Sequence, residues 1–277
     1  MQTTLDDQQA LAELNLSRVR PFQLREYPGL IRLCSILLFL AIWEYYGRGV
    51  DPIFLSYPTA IARAAVQVTA SGELGQQFLL SMKAFVIGFG SAIVLGIGVG
   101  LLMGRYRLAQ YLLDPYMYAM DATPRVALIP LLLLWFGLGI WSKVAIVFLS
   151  GLFPILINTF SGVKTVSGSL VEIGQAYGAK EGQIFRKIIA PATLPFIMAG
   201  VRVGVGRAVV GIITAEMFTA VTGLGAMLIV YSSSFATDKL FVPIILLALL
   251  GVALTEVVKA LQSWLAPWKE SERAESE

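Results

Sequence analysis

Histidine is absent from this 277-residue chain, and cysteine occurs once, as Cys34. Without histidine there is no imidazole for acid–base chemistry near neutral pH, no imidazole metal ligand and no Ser–His nucleophile pair. One cysteine can neither close an intrachain disulfide nor build a cysteine zinc site. Charge is also scarce, at 14% of residues against about 25% in an average soluble domain. So few charges exclude a disordered chain and an ordinary soluble enzyme. The net charge of +3 is too small and too dispersed for a nucleic-acid face, and no nucleic-acid partner is expected. No G-x-x-x-x-G-K-[ST] occurs, which excludes ATP binding by a P-loop. Hydrophobic residues are what the chain has, at 57%, with a mean hydropathy of +0.74. The solvent it is built for is the lipid bilayer.

A bilayer-crossing helix needs about 20 mostly apolar residues. Six stretches qualify: 30–46, 78–104, 116–138, 140–162, 195–219 and 240–265. The expected fold is therefore all-α, a polytopic membrane protein of six transmembrane helices. Residues 1–29 read as a cytoplasmic tail, 30–266 as the transmembrane domain and 267–277 as a second cytoplasmic tail. The polar start with Arg18, Arg20 and Arg25 does not read as a cleaved signal peptide.

Positive charge decides orientation. With the N-terminus inside, the inner segments hold Arg18, Arg20, Arg25, Arg105, Arg107, Lys164, Lys180, Arg186, Lys187, Lys259, Lys269 and Arg273, which is twelve. The outer segments hold Arg48, Arg63, Lys143 and Lys239, which is four. This imbalance predicts a multi-pass protein of the cell (inner or plasma) membrane with both termini cytoplasmic. In the outer loop 47–77, the spacing of Ile61, Ala64, Ala65 and Val68 predicts a short amphipathic helix.

Small residues recur every four positions at Gly88, Ala92, Gly96, Gly100 and Gly104, and again at Gly200, Gly204 and Ala208. Such stripes let helix backbones approach closely in lipid, either as static packing or as a sliding face. Gly96-Ile97-Gly98-Val99-Gly100 lies inside an apolar helix with no preceding strand, so it is no dinucleotide loop.

Charges inside spans are costly and face protein or water. Asp121 and Arg125 are four apart across Pro124, acid first, a favourable order for a helical pair. Arg207 lies near the middle of the fifth span and has no acid within four positions. Arg202 and Glu216 fall near one face of the same span, and Arg207 points away from both. Asp121, Arg125, Arg207 and Glu216 are the candidates for a translocation path, with interhelical ion pairing as the alternative. Glu44 and Glu256 sit near span ends and receive no role.

The inner loop 163–194 carries Leu170-Val171-Glu172-Ile173-Gly174-Gln175-Ala176-Tyr177-Gly178-Ala179-Lys180, then Ile184-Phe185-Arg186-Lys187-Ile188-Ile189-Ala190-Pro191 and Leu194-Pro195. It reads as two short helices around Gly178, with Pro191 and Pro195 ending the second. A helix-turn-helix projecting from a membrane domain has the shape of a docking element.

Glu172, Gly178, Ile188 and Pro191 resemble the E-A-A loop of permease subunits of binding-protein-dependent ABC importers. Glu172-Ile173-Gly174 stands where that pattern has Glu-Ala-Ala, and Ala190-Pro191 where it has Leu-Pro. Pro124 to Pro130, Leu134 to Gly139, Phe153 to Thr159, and Gly200 through Met217 resemble the nitrate/sulfonate/taurine/bicarbonate class. The resemblance runs from about Pro58 to Leu265.

It implies a second permease copy in a homodimer, two cytoplasmic ATPase subunits and an extracytoplasmic solute-binding protein. The chain itself would be non-catalytic and free of cofactor, with ATP and Mg bound by the partner subunits. The loop would be the coupling element, with Glu172, Ala176, Gly178, Ala179, Lys180 and Phe185 as coupling candidates. The class implies a small organic or inorganic anion as solute, although some relatives carry heterocycles such as vitamin precursors. An ion-gradient-driven secondary transporter is the alternative; it accounts for the intramembrane charges but not for the loop.

Overall fold

The computed structural model describes residues 28–265. Both expected tails, with Arg18, Arg20, Arg25, Lys269 and Arg273, thus lie almost wholly outside the described residues. The chain divides into two compact units, with the boundary between Thr59 and Ala60. No strand occurs among the described residues.

The first unit is built on α1 (Pro28–Arg48), which is apolar on every side and leaves Leu33, Ile36, Leu37 and Phe39 exposed. A helix without a polar face suits lipid on all sides. Its far end is tied to residues 56–59 of the same unit. Trp43 Nε1 donates to the Ser56 carbonyl at 2.9 Å, and Glu44 accepts from the Thr59 backbone N–H at 3.0 Å and the Thr59 hydroxyl at 2.7 Å. Glu44, left without a role by its position in the sequence, thus satisfies an orphan donor at a helix start.

The remaining helices are α2 (Pro58–Ala70), α3 (Glu73–Arg105), α4 (Arg107–Ala122), α5 (Arg125–Phe136), α6 (Ile140–Thr165) and α7 (Gly168–Ala176). They continue as α8 (Glu181–Ile184), α9 (Ala190–Thr219), α10 (Leu224–Ser233) and α11 (Thr237–Leu265). Five helical stretches are long and apolar enough to cross a membrane singly. The pair α4 and α5, bent by 101°, makes a sixth when it is counted as one broken span.

Two elements differ from the sequence expectation. The third span, expected as one helix over 116–138, breaks at Thr123-Pro124. Pro124 disfavours helical backbone in the residue before it, and Thr123 is extended at φ −71°, ψ 127°. Pro191 and Pro195 do not end the second loop helix. Instead Phe185–Ile189 winds wider as a π-helical turn, with Ala190 N–H bonded to the Phe185 carbonyl, and the helix continues through both prolines to Thr219. The widened turn shifts the bonding register just before Pro191, where an ordinary ladder would need the missing N–H.

The core forms where α3, α6 and α9 meet. Phe85, Phe89, Val147, Ile155, Val201, Val205 and Ile212 are buried together there. The glycine stripe of α3 lies on α6. A Cβ at Gly88 would be 2.7 Å from the Val144 carbonyl, and one at Gly104 would be 2.5 Å from Val163 Cβ. The stripe of α9 is equally filled, with Gly200 against Asn158 and Pro154. In this conformation both stripes are seated contacts between helices. The expected amphipathic helix is α2, whose Ile61, Ala64 and Val68 are buried. Val68 joins Leu224, Met227, Tyr231 and Leu247 in a second cluster under α10.

Candidate functional site

Three polar features stand out against this apolar frame. The first lies at the α4–α5 break. Asp121 ends α4, Arg125 begins α5 and Arg207 comes from the middle of α9. Both guanidiniums reach the same oxygen: Arg125 Nη2 and Arg207 Nη1 donate to Asp121 Oδ1 at 2.8 and 2.9 Å. The expected pair of Asp121 and Arg125 therefore forms across a sharp corner rather than along one helix. Arg207, which needed a partner from elsewhere, finds it in Asp121.

The two arginines of this triad line a cavity of about 310 Å³ between α5, α6 and α9, and Asp121 stands behind them. Its walls are Val126, Ile129, Ile146 and Val210, with Gly206 and Gly211 on the α9 side and Ser150 and Thr214 as further polar members. A Cβ on Gly206 would meet nothing within 4 Å, so that position opens on free space. Two guanidiniums against one carboxylate leave one positive charge in excess at an otherwise apolar cavity.

The second feature contains Glu216 and stands apart from the first. Glu216 is 1% exposed. It accepts from Ser81 Oγ at 2.8 Å and from the Gly225 N–H at 3.0 Å, and lies 3.7 Å from Lys143 Nζ. Lys143, 4% exposed, also donates to the Thr222 carbonyl and hydroxyl. Ser81 in turn accepts from the Leu224 N–H, and Gln77 accepts from the Gly223 N–H. The cluster thus fastens the turn between α9 and α10 to α3 and α6. Glu216 lines none of the cavity beside Arg207, so the four expected path residues divide into a triad and one remote acid. Lys143, counted with the outer segments, is buried in the first turn of α6. Positions 143 and 216 are too far apart in sequence for any helical spacing to have paired them.

The third feature is the loop between α6 and α9. Here α7 ends as the sequence predicts, on Gly178 at φ +76°. Gly178 N–H bonds the Gln175 carbonyl at 2.8 Å and Ala179 N–H bonds the Gly174 carbonyl at 3.0 Å, which closes the helix C-terminus. The Gln183 side chain accepts from the Lys180 N–H at 2.8 Å and caps α8. Gly174 is buried close to Ile188, whose terminal Cδ1 would lie 2.9 Å from a Cβ there, so the alanine of the motif would fit only with a small shift of that side chain.

Of the expected coupling residues, Glu172, Ala176, Gly178 and Lys180 are exposed and Ala179 is half-buried. Phe185 is half-buried and faces inward: the Arg105 guanidinium lies 4.9 Å from its ring centroid. Arg105, at the end of α3, also sits 3.8 Å from Glu181. The sequence reading passed over Leu170, Ile173 and Tyr177. All three are exposed, Tyr177 at 89%, and their spacing of three and four puts them on one helix face. That spacing was the available signal. Exposed apolar side chains grouped on one face of a charged loop are the kind of patch that protein partners cover.

A model of the family described as binding-protein-dependent transport system inner membrane component matches residues 92–271. The formylaminopyrimidine transport permease protein ThiX of Halalkalibacterium halodurans is 33% identical, covering 90% of this chain and 99% of its own. The riboflavin transport system permease protein RibX of Chloroflexus aurantiacus is 33% identical over 95% of this chain and 100% of its own. The taurine transport system permease protein TauC of Escherichia coli is 29% identical over 84% and 88%. A crystal structure of an amino acid ABC transporter with histidines superposes with a TM-score of 0.55 at 15% identity, covering 73% of this chain and 96% of that one, which speaks for the fold alone. On the family match and the near full-length relatives, the chain belongs to the binding-protein-dependent transport system inner membrane components, the non-catalytic permease subunits of ABC importers.

Proposed function

We propose that this permease passes a small organic or inorganic anion, and that the path runs beside Arg125 and Arg207. The observation that carries this is the convergence of two guanidiniums from different helices at the edge of an apolar cavity. Charges within a span are expensive and mark solute pathways. The planar donors of arginine match the oxygens of carboxylates, sulfonates and similar anions. The relative named for taurine transport supports this reading.

Energy for transport comes from two partner ATPases, which bind ATP and Mg. They engage the loop 163–194, with Leu170, Ile173 and Tyr177 as the apolar contact and the Gly178 turn at its tip. Two copies of the chain face each other, both termini lie in the cytoplasm, and an extracytoplasmic binding protein delivers the solute.

The test is uptake by the reconstituted importer. Arg207→Ala is expected to lower uptake by tenfold or more while the complex still assembles and hydrolyses ATP. Unchanged uptake would remove Arg207 from the path. A second reading, a neutral heterocycle, is favoured by the relatives named for formylaminopyrimidine and riboflavin and by the apolar cavity walls. It predicts uptake indifferent to Arg207→Ala but sensitive to filling the cavity.

A further inference from the structure

The triad also suggests what an arriving solute does. We propose that the Arg207–Asp121 ion pair is a cargo-sensitive lock: a solute anion in the cavity takes Arg207 from Asp121, which retreats to Arg125 alone. This inference rests on the anion reading and deepens it.

Four observations carry it. Asp121 Oδ1 is shared between the two guanidiniums, so it can give up one and keep the other. Its charge then remains neutralised, and the exchange strands no ion. The pair is accessible, with the Arg207 side chain 43% exposed and that of Asp121 29%. The buried pair of Lys143 and Glu216 has no such access, and accessible ion pairs are weak enough to be exchanged.

The elements are also unequal. Arg207 is carried mid-helix on α9, a wall of the core. Asp121 sits one residue before the end of α4, beside the Thr123-Pro124 break and its 101° bend. Releasing Arg207 removes an ion pair that ties this corner to α9. Finally, the charges balance: the triad alone is +1, and a bound monoanion brings it to zero. The same site is thus attractive to an anion before exchange and neutral after it. A neutral solute offers Arg207 no charge to replace Asp121 and leaves the lock closed.

The experiment uses the nanodisc-reconstituted permease–ATPase complex with methanesulfonate as probe and dimethyl sulfone as a neutral counterpart of similar size. Binding is followed by the shift of the thermal unfolding midpoint with probe concentration. Asp121→Asn keeps a hydrogen-bond acceptor but removes the competing charge. It should bind methanesulfonate about fivefold to tenfold more tightly than wild type, the worth of one part-exposed ion pair. Arg207→Gln should not respond, and dimethyl sulfone should act on none of them.

Binding by wild type that Asp121→Asn leaves equal or weaker overturns the lock but not the anion path. Absence of any methanesulfonate response in wild type and Asp121→Asn overturns both. Should Asp121→Asn fail to assemble, infrared difference spectra of the wild-type complex with carbon-13-labelled aspartate decide. The lock predicts a carboxylate band shift on adding methanesulfonate that Arg207→Gln abolishes. Unmoved bands refute it.

Discussion

Glu216 offers the sharpest separation of a structural from a transport role. Its carboxylate is enclosed with Lys143 Nζ at 3.7 Å, Ser81 Oγ at 2.8 Å and the Gly225 N–H at 3.0 Å. At that separation and an effective dielectric of about 20, the attraction between the two charges is about 4 kcal/mol. Glu216→Ala removes it and leaves an ammonium with almost no solvent. Breaking a buried pair from one side costs about 3–5 kcal/mol. The permease complex should therefore melt roughly 10 °C lower. Lys143→Met should cost a comparable amount, because the Thr222 carbonyl also loses its donor.

Glu216→Gln with Lys143→Met removes both charges and keeps an acceptor for Gly225. The double variant should recover at least about 2 kcal/mol relative to the sum of Glu216→Gln and Lys143→Met made singly. Thermal unfolding of the detergent-solubilised complex, with uptake by the folded fraction, is the assay. Folded Glu216→Gln protein should transport at the wild-type rate, since its side chain lines none of the cavity at Arg207. Single variants each costing under about 1 kcal/mol, or strict additivity, would refute the buried-pair reasoning. Transport lost without any loss of stability would return Glu216 to the path.

Gly178→Glu should leave insertion and folding intact, because a side chain there meets open space and pays about 1–2 kcal/mol for positive φ. ATPase co-purification should nevertheless be lost, while Gly178→Asn, which tolerates that backbone, retains most of it. Tyr177→Ala should weaken ATPase binding about tenfold, read from dissociation of the purified complex, because it deletes the most exposed apolar side chain of the patch. Gly104→Val should destabilise the permease by about 1–3 kcal/mol in thermal unfolding, since Val163 already occupies the space. Gly206→Val should assemble and melt normally yet transport poorly, because its side chain enters the open cavity; wild-type uptake would argue against that cavity as the path.

The legible parts of the site were those whose partners are local. Gly178 and its closing bonds lie within five residues of one another, so a glycine between two amphipathic stretches was enough to predict the turn. Asp121 and Arg125 are four apart, and their pairing survived even though the helix between them broke. Arg207 could be read as needing a partner, but not which one: Asp121 lies 86 positions away, and its reach depends on how α4 bends against α9. The bend had its own signal in Pro124, which competed with a continuous apolar run and won because proline withdraws a donor and constrains the residue before it. Pro191 went the other way, since the π-helical turn just before it absorbs a missing N–H that an unbroken α ladder cannot, and the helix runs on through Pro195.

The sequence by itself determined the solvent, most of the helices and the turn at Gly178. Scarce charge and long apolar runs leave lipid as the only medium, and lipid forces the backbone to satisfy itself within helices. Only the tertiary structure decided which charges meet. It separated Glu216 from Arg207, buried Lys143 beside Glu216, and joined Asp121 to two arginines rather than one. Side chains on different helices are brought together by packing rather than by spacing, and in a medium that cannot solvate charge that packing decides which ion becomes structure and which stays open to a solute.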